Sequence, residues 1–123
     1  MEESILDSIK KMLNISADYT VFDVDLVIHI NSAFSKLHQI GATPPEGFQI
    51  TGPTEIWSSF LSGVHNVEMV KTYIYLNVRL VFDPPATSYA IDAIQRNVDQ
   101  YEWRLSVLEL AFANGTGGNN DAG

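Results

Sequence analysis

The chain has 123 residues, 46% hydrophobic and 18% charged: apolar enough for one domain with a buried core, and too apolar for a disordered chain. Seven Lys and Arg stand against 15 Asp and Glu, a formal net charge of −8; nucleic-acid binders draw their affinity from cations at phosphates, so this balance argues against one. With no Cys, neither disulfides nor thiolate metal sites are available. The opening Met1-Glu2-Glu3 is acidic where a secretory signal is basic, and no apolar run approaches the roughly 20 residues that span a bilayer. The expectation is a protein made and used in a cytoplasm, away from membranes.

Residues 4–13 place Ile5, Ile9, Met12 and Leu13 at helical spacing, with Ser4 as a cap and Asn14 as the end. Thr20 and Asp23 stand three apart, a variant of the capping box that opens a second helix. Along it, Leu26, Ile30, Ala33, Phe34, Leu37 and Ile40 share one face, and Gly41 sits where a C′ glycine belongs. Residues 42–55 hold three prolines and two glycines and form a long loop of the kind that carries function. Ile56, Trp57, Phe60 and Leu61 give one or two helical turns after it.

Asn66 can cap a helix from Val67 to about Phe82. Its polar residues Glu68, Lys71, Thr72 and Arg79 occupy one narrow arc, which marks a helix central to the packing. Asp83-Pro84-Pro85 stops it. Thr87 or Ser88 caps a last helix running to about Ala113, in which Ile91, Ile94, Val98, Tyr101, Leu105, Leu108 and Phe112 alternate steps of three and four. The fold class is all-α: a bundle of about four to five helices in residues 1–113, with a flexible Gly/Asn-rich tail over 114–123.

The last helix has a second apolar face. At about 100° per residue, Tyr89, Trp103 and Val107 fall almost opposite the heptad stripe, with Arg96 and Arg104 flanking them. One reading packs this face on the Trp57/Phe60 segment or on the first helix. The other makes it a subunit or partner interface, where Trp and Arg are favoured. Asp92, Asp99 and Glu102 belong to an acidic strip between the two apolar faces.

Enzyme chemistry finds little to work with. Asp25 and His29 stand four apart on a helix, but no third metal ligand follows at a familiar spacing. His38 and His65 are isolated polar positions. No phosphate-cradling glycine loop and no nucleophile elbow occurs. Asp99 and Glu102 have the spacing of a magnesium-binding pair, with no acidic partner pair on another helix. Neither a catalytic residue nor a cofactor is expected.

Taken together, the segments ILDSIKKMLNI, FDVDLVIHINSAFSKLHQIG, GFQI, WSSFL, VKTYIYLNVRLVFDPP and YEWRL resemble, in order and spacing, the head–tail connector family of tailed phages over residues 4–110. The resemblance implies an all-α, non-enzymatic structural subunit that assembles into a homo-oligomeric ring, roughly twelve-fold to suit the portal. Such a ring docks beneath the portal protein after DNA packaging and receives the next head-completion or tail protein, so the expected location is the virion's head–tail junction, reached from the host cytoplasm. In that setting the 42–55 loop, with Pro45, Phe48 and Ile50, is expected to reach the portal or a neighbour. The strip of Asp92, Asp99 and Glu102 is expected to face the lumen, where negative charge lets DNA pass without sticking. The alternative is a small helical adaptor or regulatory module acting on another soluble protein.

Overall fold

A computed structural model of the chain describes residues 4–41, 47–61 and 67–118, with side chains through Val107 except those of Leu61 and Val67. The described residues form five helices and no strand: α1 (Ile5–Met12), α2 (Asp23–Gln39), α3 (Trp57–Leu61), α4 (Val67–Phe82) and α5 (Ser88–Gly118). This is the all-helical bundle that the periodicity predicts.

The Ser4 hydroxyl caps α1 by accepting from the Asp7 N–H at 3.0 Å, satisfying a donor that the first turn otherwise leaves open. Ile5, Leu6 and Ile9 are fully buried. Asn14 takes the left-handed conformation, φ 63°, which Asn tolerates better than most residues and which turns the chain away from the helix. The start of α1 is tied to distant chain: Ile5 N–H donates to the Glu55 carbonyl at 2.9 Å, beside an isolated antiparallel bridge between Ser4 and Ile56.

The capping box expected from Thr20 and Asp23 does not form. The N-cap of α2 is Phe22, which gives no side-chain cap, so Thr20 stands two residues too far upstream for its hydroxyl to serve. The Asp23 carboxylate binds the Lys10 ammonium instead, at 2.8 Å. Lys10 is 1% exposed and also donates to the Ala17 carbonyl at 3.1 Å. This cation therefore stitches α1, the 13–22 connection and α2 together. At the far end Gly41, at φ 81°, donates to the His38 carbonyl at 3.1 Å as an αL cap.

Helix α4 packs against both α2 and α5, with Val70, Tyr73, Ile74 and Val78 buried. Polar links reinforce both contacts. Lys36 of α2 donates to Asn77 of α4 at 3.0 Å, and the Tyr73 hydroxyl of α4 donates to Glu102 of α5 at 2.7 Å. The Thr87 hydroxyl caps α5 by accepting from the Ala90 N–H at 3.1 Å. Val98 and Leu105 are buried, and Ile94 and Tyr101 pack against the same core.

Helix α5 runs through Gly118, five residues past the Ala113 boundary set from the sequence. The glycines there cost about 1 kcal/mol each against Ala, but without a proline nothing sterically forbids the backbone ladder. The Asn66 cap, His65, Pro45, the side chains of Leu108 and Phe112, and residues 119–123 lie outside the described residues.

Candidate interaction surfaces

The second apolar face of α5 is open to solvent. Tyr89 is 78% exposed, Trp103 66% and Val107 42%. Arg96 and Arg104 are exposed beside them, and among the described residues neither makes an ion pair. Among the described residues, the Trp57/Phe60 segment and the first helix do not cover this face, because their apolar side chains are used elsewhere. Phe60 is fully buried in a cluster with Phe34 and Phe48, ring centroids 4.7 and 5.2 Å away. Trp57 is buried too, its indole N–H donating to the Ser8 hydroxyl at 2.8 Å. The two tryptophans thus sit in opposite environments, one in the core and one in water.

In the described part of the 42–55 loop, Ile50 is buried in the core and the partly buried Phe48 packs edge-on against Phe34 at 5.1 Å, so the Ile50 side chain is turned inward and Phe48 keeps part of its ring at the surface. The Asn31 side chain holds this segment down: its amide N–H donates to the Ile50 carbonyl at 2.9 Å and its oxygen accepts the Ile50 N–H at 2.8 Å. What the loop presents outward is Gln49, Thr51, Pro53 and Thr54.

The acidic strip also divides. Asp92 and Asp99 are exposed, with Asp99 accepting from Gln95 at 3.0 Å. Glu102 lies at the margin of the α4–α5 contact and accepts the Tyr73 hydroxyl, so it joins two helices as well as adding charge. Burial, reinforced by the hydrogen bond to Glu102 and its charge, pushes the Tyr73 phenol well above its ordinary range. It therefore stays a neutral donor.

A second exposed apolar area went unnoticed in the sequence. Val24 is 73% and Ile28 59% exposed; with Val27, Thr51, Gly52 and Pro53 they border a cavity of about 310 Å³. The only sequence sign is that Val24 and Ile28 stand four apart, off the core stripe of α2.

Among the described residues no group of three or more His, Asp or Glu side chains is placed to hold a metal, and Asp25 and His29 gather no third ligand. No described helix is long and apolar enough to cross a membrane.

Among the described residues, five helices enclose a core filled by their inner faces and leave Tyr89 and Trp103 exposed. Comparison with family models matches residues 5–110 to the phage connector proteins, and the chain belongs to that family, one of structural proteins. Searches of curated proteins and of solved structures give no match.

Proposed function

We propose that this phage connector protein works as a ring-forming head–tail connector: copies of the chain assemble beneath the portal and join the DNA-filled head to the next connector or tail protein. The observation that carries this reading is the exposed face of α5, centred on Trp103. Soluble proteins rarely leave such aromatic surface in water unless a partner covers it. Tyr89, Arg96, Arg104 and Val107 complete the contact surface around it. Asp92 and Asp99 give α5 an acidic edge for a channel through which DNA slides, and Glu102 contributes there only with the part of its carboxylate that Tyr73 leaves free.

The test is complementation in vitro. DNA-filled heads that carry the portal but lack this chain are mixed with purified protein and then with tails. The wild-type chain is expected to restore tail attachment, counted by electron microscopy and by infectivity, and Trp103→Ala is expected to reduce it by about tenfold or more, the effect of a hot-spot residue. Heads that join tails equally well without the chain contradict the reading.

A further inference from the structure

We propose that two of the exposed apolar areas are complementary: the Trp103 face of α5 on one subunit seats in the Val24/Ile28 groove of the next copy. This rests on the ring reading above and deepens it by naming both halves of the contact. A closed ring needs two unlike surfaces on each subunit, because a patch that pairs with itself stops at a dimer. Beyond the α5 face, Tyr19, Val21 and Val81 are also exposed, and the groove between the first half of α2 and the 51–53 turn is a concave surface with mainly apolar walls.

Shape and charge both match. The groove has apolar walls from Val24, Val27, Ile28 and Pro53, and its volume of about 310 Å³ admits one large side chain such as an indole. Two carboxylates adjoin the groove: Asp23, in its lining, is paired with Lys10 at 2.8 Å, and Glu55 is held beside it by the Thr51 N–H and hydroxyl, at 3.0 and 2.8 Å. On the other side, the α5 face carries Arg96 and Arg104, two of only seven Lys and Arg in the chain, unpaired among the described residues. Seating Trp103 in the groove brings these charges to a common rim, where complementary sign fixes register. Asp99, one helical turn before Trp103 and on the same side of α5, accepts from Gln95 at 3.0 Å.

The absence of cysteine makes disulfide trapping a clean test. Gln100 is exposed on the α5 face, and a Cβ added at Gly52 meets no atom within 4 Å. Gln100→Cys and Gly52→Cys chains are therefore expected to fold as wild type. Mixed in equal amounts in a glutathione redox buffer, they should give unlike disulfide dimers in about tenfold excess over like ones. Adding Trp103→Ala to the Gln100→Cys chain should bring that excess down to the statistical share. Arg96→Glu should weaken it, and Glu55→Arg in the partner should restore part of it.

Dominant 100–100 dimers would mean that α5 faces meet each other, which overturns the head-to-tail pairing. A statistical mixture from a wild-type chain that does self-associate by light scattering places the contact elsewhere and overturns the pairing while leaving the ring reading intact. A statistical mixture from a chain that stays monomeric at every concentration overturns both.

Discussion

The Asn31 side chain pairs with both backbone groups of Ile50, giving and taking one hydrogen bond each at 2.9 and 2.8 Å. One side chain on α2 thus does for the 47–50 segment what a neighbouring strand would do. It holds Ile50 inside the core and Phe48 against Phe34.

Asn31→Asp keeps the acceptor but cannot donate, and its second oxygen faces the Ile50 carbonyl. The expected loss is about 1–3 kcal/mol, from one broken bond and one under-satisfied carbonyl. Amide exchange at Ile50 should speed up with it. Unchanged stability and unchanged exchange would show that the loop is held by packing alone.

Lys10 and Asp23 should respond unequally to mutation. Lys10 is buried, whereas the Asp23 side chain is 23% exposed. Asp23→Ala strands a buried cation and is expected to cost about 3–5 kcal/mol. Lys10→Met leaves a carboxylate that water can reach and replaces the lysine stem with an apolar one, so it should cost clearly less. Denaturant melts of the two variants check this order, and equal losses would contradict the burial argument.

The two tryptophans make a matched comparison. Trp57→Ala removes a buried indole and is expected to cost about 3–5 kcal/mol. Trp103→Ala should change monomer stability by no more than about 0.5 kcal/mol, as exposed positions do, while weakening assembly. If Trp103→Ala unfolds the chain, the face on α5 belongs to the fold and not to a contact.

Glu55 supplies the pH dependence. Burial raises its pKa, but hydrogen bonds from the Thr51 side chain and backbone, together with backbone N–H groups at Glu55 and Gly52, outweigh that and hold it below the ordinary value of 4.5. A lowered folded-state pKa means that its contribution is complete above the ordinary carboxylate range and disappears as pH falls through the depressed value. Wild type should therefore lose stability more steeply than Glu55→Gln as pH drops below about 4.5. Parallel curves for the two proteins would remove Glu55 from the account.

How legible the molecule is in its sequence depends on distance along the chain. Ser4, Gly41 and Thr87 act locally, and their roles as caps follow from spacing alone. The inner and outer faces of α5 follow from the same periodicity. The Lys10–Asp23, Asn31–Ile50 and Tyr73–Glu102 pairs join residues 13, 19 and 29 positions apart, and no local pattern marks them. That is why Lys10 and Asn31 go unremarked and Glu102 reads as solvent-facing charge. Ile50 misleads for a related reason: prolines and glycines around it signal loop, and only the aromatic cluster and the Asn31 clamp turn it inward. The Val24/Ile28 groove needs the 51–53 turn beside α2, which likewise appears only in three dimensions.

The most direct test of the central claim, that this chain is built to assemble through its exposed α5 face, is its solution mass by light scattering across a concentration range, wild type beside Trp103→Ala. A discrete wild-type species many times the 13.7 kDa of one chain, lost in a variant that still melts as a folded monomer, is the predicted result. A wild-type chain that stays at 13.7 kDa throughout, or a Trp103→Ala chain that assembles as well as wild type, would contradict it.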